Sequence, residues 1–256
     1  MQLKGLDELN KYVPELNSTG GKLKFAFRFL FIFSLVTIYF VLTDQIPTWT
    51  LDSQIVIVAI GFLSVSRVFT QKNRLLEKYG EQAYNQAVWK YALPGLAMLL
   101  AAVAHIGYMN GPKFTFTQPT ITTILFILGW YNLIVGISLW IRSILTFGFD
   151  NLSMLYVYHP QNGQLIKSGI YQALRHPVYA GILRVGFGLA FLNLGIYPIT
   201  FSFLMPLGFF GWIRLVEEKE LLERIPTYSE YRKRTPAFWV SPRNIGLFWK
   251  FIFIGK

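Results

Sequence analysis

Long stretches almost free of charged side chains run through this chain, and they fix the medium in which it can fold. Six apolar segments appear, at about 25–43, 54–70, 91–109, 120–141, 178–194 and 196–213, interrupted by cations only at Arg28, Arg67 and Arg184. Each is close to the roughly 17–25 residues that cross a bilayer as a helix. Hydrocarbon offers the backbone no hydrogen-bonding partner, so such segments satisfy their own N–H and C=O groups as helices. The chain is 53% hydrophobic and only 14% charged, against roughly 25% charged in a soluble domain. The expected fold is therefore all-α: a polytopic membrane protein of about six transmembrane helices. The last two are separated only by Leu194-Gly195-Ile196-Tyr197-Pro198, a junction whose Gly and Pro predict a helical hairpin.

Cation placement predicts the orientation. Lys and Arg number four in 1–24, five in 66–90, three in 142–178 and nine in 214–256, together 21 of the 24. With the N-terminus in the cytosol and six alternating spans, all four stretches face the cytosol, as the positive-inside tendency requires. The net charge of +11 thus reads as a membrane feature, and nucleic acid is not an expected partner. Residues 1–24 are polar and do not read as a signal peptide. Residues 71–90 look like a surface helix between spans, with Leu75, Leu76 and Tyr79 on one face. There is no Cys, which removes disulfides, thiolate metal ligands and any Cys nucleophile. His159 lacks metal-ligand spacing, and His105, inside the third span, reads as a packed or interhelical hydrogen-bonding residue.

Two polar blocks flank the hairpin. The first runs from Leu165 through Tyr171, Arg175-His176-Pro177, Tyr179 and Gly181; the second begins Arg214-Leu215-Val216-Glu217-Glu218 and continues through Tyr228, Tyr231 and Arg232-Lys233-Arg234. A span of ~18 residues covers ~27 Å, so an antiparallel pair returns the chain to the depth it left. Residues 175–181 and 214–218 are thereby expected to meet. Pro177 suits a first helical turn, with His176 at the N-cap. That helix end and Arg175 favour an anion, while Glu217 and Glu218 favour a cation. Gly181 would let another group approach the backbone closely. Sites for both signs of charge in one pocket match a zwitterion, such as the amino-acid end of S-adenosylmethionine. Separately, Arg175 and Arg214 could be snorkelling span ends, and Arg184 could reach the site or pair with another helix.

The order Gly-x-Tyr-x-x-x-Arg-His-Pro-x-Tyr-x-Gly, an apolar hairpin, Arg-x-x-Glu-Glu-x-x-Leu and Tyr-x-x-Tyr resembles the isoprenylcysteine carboxyl methyltransferase family. Related membrane methyltransferases acting on phospholipids share the pattern. The resemblance runs from about Leu165 to Pro242. It divides the chain into N-terminal helices of unassigned role, 1–118, and a methyltransferase core, 119–256. It implies S-adenosylmethionine as cofactor, held by Arg175, His176, Pro177, Tyr179 and Gly181 with Glu217 and Glu218 opposite, and Tyr171 closing the adenosine side. Arg214 and Glu218 become the candidate catalytic residues, Arg214 steering an anionic acceptor; no metal is implied. The chain departs from the family at Ile225-Pro226-Thr227, where members often carry Phe-Gly.

The function this resemblance implies is an integral membrane methyltransferase whose acceptor is lipophilic, foremost the carboxylate of a prenylated cysteine. Membrane lipids and that acceptor are the expected partners, and the active site is expected to face the cytosol. Phospholipid N-methylation, a membrane reductase of related architecture and a non-enzymatic scaffold are the competing readings.

Overall fold

The computed structural model describes residues 4–255, so residues 1–3 and 256 of the two expected regions lie outside it. All six apolar segments are helical. Five helices are long and apolar enough to cross a membrane. Helix α1 (Leu6–Tyr12) precedes them. The five are α2 (Thr19–Thr43), α3 (Thr50–Thr70), α4 (Lys72–Tyr108), α5 (Pro119–Phe147) and, after α6, α7 (Ile196–Arg224). Helix α6 (Pro177–Asn193) is the shorter sixth, with 17 residues. Two small helices follow, α8 (Tyr228–Arg234) and α9 (Ile245–Ile254). No strand occurs among the described residues.

Local chemistry explains several boundaries. Ser18 caps α2, its Oγ accepting from the Gly21 N–H at 3.0 Å. Pro119 and Pro177 each stand in a first turn, where the missing N–H costs nothing. The surface helix expected over 71–90 is realised only as Lys72–Tyr79. Gly80, with φ of +54°, interrupts α4 after this first segment, and residues 83–90 belong to the part of α4 that spans the bilayer. That helix widens into a π-turn over Val88–Ala92, just before Pro94. A proline there removes the bond to the Lys90 carbonyl and crowds it, and an extra residue in the turn relieves the clash.

The end of the bundle opposite the polar blocks is stitched by side chains. Asn193 Nδ2 donates to the carbonyls of Ile106, Gly107 and Met109 at 3.1–3.3 Å. Leu194, at φ +58°, and the extended Gly195 turn the chain from α6 into α7. His105 is fully buried, between Gln54 Oε1 at 2.8 Å and Asp44 Oδ2 at 3.1 Å, and stacks on Phe40. It therefore joins α4 to α3 and to the end of α2, the interhelical role expected of it.

Helices α5 and α6 cross at glycines. A Cβ on Gly181 would stand 2.8 Å from the Trp140 nitrogen, and one on Gly188 would stand 2.8 Å from the Leu133 nitrogen. Lipid supplies no hydrophobic force between spans, so contact depends on backbones approaching closely, which small residues permit. The chain after α8 turns back along the start of α6. Arg175 N donates to the Pro236 carbonyl at 2.9 Å and His176 N to that of Ala237 at 3.1 Å. Arg142 then caps α9, donating to the carbonyls of Phe251 and Phe253.

Candidate functional site

The hairpin brings the two polar blocks together at one end of the bundle. His176 is the N-cap residue of α6 and Pro177 its first helical residue. Across the mouth, α7 passes through a π-turn at Ile213–Glu217. The extra residue re-aims the helix, a feature common at functional sites. Arg214 stays on the outer face, exposed, with its guanidinium 5.8 Å from the Phe210 ring centroid. Glu217 and Glu218 turn inward.

Glu218 is the hub. It is 2% exposed. Its Oε1 accepts from Arg175 Nη2 at 3.0 Å, His176 Nε2 at 3.2 Å and Tyr228 Oη at 3.0 Å; Oε2 meets Arg232 Nε at 3.0 Å. Arg175 is equally engaged, with Nη1 donating to the carbonyls of Arg232 and Thr235. Its two Nη atoms therefore anchor the end of α8 and Glu218, which leaves only Nε open to an anion. Glu218, expected to offer negative charge to a cation, is instead the centre of one neutralised network, because unpaired charges so deep would be costly.

Glu217 is less committed. Tyr179 Oη donates to its Oε2 at 2.7 Å, His176 Nδ1 lies 3.5 Å from Oε1, and its side chain is 21% exposed. Burial by itself would lower the pKa of His176, but the carboxylates of Glu217 and Glu218 outweigh it and raise the value above 6.5. Burial pushes the hydroxyls of Tyr171, Tyr228 and Tyr231 upward, so all three remain donors at neutral pH.

A cavity of about 750 Å³ starts here and runs into the bundle. Arg175, His176, Glu217, Glu220, Arg224 and Tyr228 line its polar end. Phe62, Leu99, Val103, Phe201 and Met205, from α3, α4 and α7, line its apolar depth. Two buried donors on its wall have no partner among the described residues, Tyr171 Oη and Arg175 Nε.

Of the residues named from sequence, Tyr171, Arg175, His176, Pro177, Tyr179 and Glu217 lie on this wall. Glu218 stands behind it. Gly181 does not reach the cavity, since the group approaching its backbone is Trp140. Arg184 faces Phe248 and Trp239, at 5.5 and 6.0 Å from their ring centroids. Sequence reasoning passed over Trp212, whose indole N–H donates to Tyr179 Oη at 3.3 Å, and the Glu220–Arg224 pair. An i,i+4 acid–base spacing was the one available signal for that pair.

Residues 124–226 match the phospholipid methyltransferase family, the family of isoprenylcysteine carboxyl methyltransferase-like membrane methyltransferases. The matched stretch holds most of α5, the hairpin and both carboxylates. The chain is also 33% identical over 90 residues to the cobalt-zinc-cadmium resistance protein CzcN of Cupriavidus metallidurans. That alignment covers 33% of this chain and 39% of the relative. No solved structure matches. The family match supports a membrane methyltransferase.

Proposed function

We propose that this protein is an S-adenosylmethionine-dependent methyltransferase acting on a lipophilic acceptor, foremost the carboxylate of a prenylated cysteine or a similar lipid acid. The observation that carries the reading is the make-up of one cavity wall. Two unpartnered buried donors, Tyr171 Oη and Arg175 Nε, share it with the Glu217 carboxylate, and the rest of the cavity is apolar. The donors suit a carboxylate and Glu217 suits an ammonium, so the polar end fits a zwitterion. The volume lies within the range of cofactor-sized pockets.

When bound, S-adenosylmethionine supplies an electrophilic methyl on a sulfonium whose sulfur leaves with the bonding pair as the acceptor's lone pair forms the new bond. The protein's share is alignment and exclusion of water. Glu218 holds Arg175 and His176 in place, Tyr179 fixes one oxygen of Glu217, and the apolar depth receives a hydrocarbon chain. A carboxylate acceptor already carries its lone pair at neutral pH and needs no base. An amine acceptor must first lose a proton, and Glu217 is the wall carboxylate to take it. The distribution of Lys and Arg supports placing this end of the bundle in the cytosol, where a soluble cofactor reaches it.

The match to the phospholipid methyltransferase family favours N-methylation of a phospholipid as a second reading. Labelled methyl transfer separates the two. Label in a base-labile ester of a farnesyl-cysteine analogue supports the first, and label stable on phosphatidylethanolamine supports the second. Label in neither, with S-adenosylhomocysteine giving no thermal stabilisation, sinks both.

A further inference from the structure

We propose that Lys24, Arg28 and Trp89 form a binding site for the phosphate headgroup of an anionic phospholipid, on the outside of the bundle and separate from the cavity. Lys24 and Arg28 stand one turn apart on α2 and share a face. Lys24 Nζ lies 5.7 Å and Arg28 Cζ 5.6 Å from the centroid of the Trp89 ring. Both cations are exposed, and neither has a carboxylate partner among the described residues. None of the three residues lines the cavity.

A second observation points to a ligand with acceptor oxygens. Trp89 is 8% exposed, and its indole N–H is buried with no acceptor among the described residues. Such a donor is normally satisfied. Phe25 packs edge-on against the ring at 5.6 Å and fixes its orientation.

Position supplies the rest. Just beyond Lys24 the surface of α2 becomes apolar, with Phe27, Leu30 and Phe31 exposed by 71%, 59% and 53%. The cation pair therefore sits at the border between polar and lipid-facing surface, at the level of the lipid phosphates. A phosphodiester there meets two cations and an N–H donor, and its acyl chains lie along the phenylalanines. An anionic headgroup is favoured over a zwitterionic one, whose own ammonium group competes with Lys24 and Arg28. This proposal does not depend on the methyltransferase reading.

The test is thermal unfolding of the full-length protein in neutral detergent with added phosphatidylglycerol, phosphatidylcholine or inorganic phosphate. Phosphatidylglycerol is expected to raise the midpoint by several degrees, with little change from the other two. K24Q/R28Q is expected to lose that rise, K24R/R28K to keep it, and W89F, which retains a ring without the N–H, to reduce it. Equal shifts from both lipids, or an undiminished rise in K24Q/R28Q, overturn the proposal. Inorganic phosphate reproducing the whole rise overturns the lipid assignment. Should the double variant not fold, K24Q alone decides, because its position is exposed: a reduced rise supports the site and an unchanged one refutes it.

Discussion

His176 Nε2 lies 3.2 Å from the Glu218 carboxylate, so residues 42 positions apart close the mouth of the hairpin. The same carboxylate holds Arg175, Tyr228 and Arg232. Removing it strands buried cations, a loss of about 3–5 kcal/mol. Glu218→Ala is therefore expected to melt well below the wild type without any ligand. Glu217→Gln keeps its tyrosine bond and should melt closer to the wild type than Glu218→Ala does, while losing the stabilisation that the proposed function expects from S-adenosylhomocysteine. Thermal unfolding of both variants, with and without that ligand, checks the division. Identical behaviour would mean that the two carboxylates do not have distinct tasks.

The pairing of His176 also sets a pH dependence. Its folded-state pKa is raised above 6.5 because Glu217 and Glu218 outweigh burial. A raised value in the folded protein means that the contribution to stability is complete below about 6.5, the unfolded value. It is lost as pH rises through the folded value. The melting midpoint should accordingly fall on the alkaline side of that window, and His176→Gln should flatten this part of the curve. Midpoints measured from about pH 6 to about pH 9 provide the check. A slope unchanged in the variant assigns the dependence to another group.

Local pattern carried the helices and the meeting of the polar blocks. Apolar runs of bilayer length permit little but helices, and a hairpin of two similar spans must return to its starting depth. Three features of the site depend on more than local pattern. The crossing of α5 over α6 decides that Trp140 fills the space beside Gly181. The π-turn at Ile213–Glu217 separates Arg214 from Glu217 and Glu218, and no proline follows closely to announce it, as Pro94 does for the π-turn in α4. The return of Pro236 and Ala237 alongside Arg175 and His176 draws the Arg175 guanidinium onto α8. Each comes from packing between distant segments.

Gly181 gives a test of the helix crossing. A Cβ there would meet the Trp140 nitrogen at 2.8 Å and its Cα at 2.9 Å, both backbone atoms that cannot swing away. Gly181→Ala should cost about 1–3 kcal/mol as the helices are forced apart. Gly211 on α7 has nothing within 4 Å of the corresponding position. Gly211→Ala is therefore neutral or slightly stabilising, since alanine is the better helix former. Unfolding midpoints of the two variants decide. A drop at Gly211 and none at Gly181 would contradict the crossing.

The family resemblance makes Arg214 a candidate for steering an anionic acceptor, yet it lies off the cavity wall. Its guanidinium rests over Phe210, itself 52% exposed, and neither residue is on the cavity wall. A snorkelling arginine on an outward helix face interacts with lipid headgroups, not with a reacting group on the far side of the helix. Arg214→Ala should leave methyl transfer and stabilisation by S-adenosylhomocysteine nearly unchanged. Arg175→Ala should impair both, because the end of α8 loses its anchor. Initial rates with a farnesyl-cysteine analogue and with phosphatidylethanolamine, measured beside thermal shifts, distinguish the two arginines. Loss of turnover in Arg214→Ala with S-adenosylhomocysteine binding intact would return that side chain to the acceptor's path.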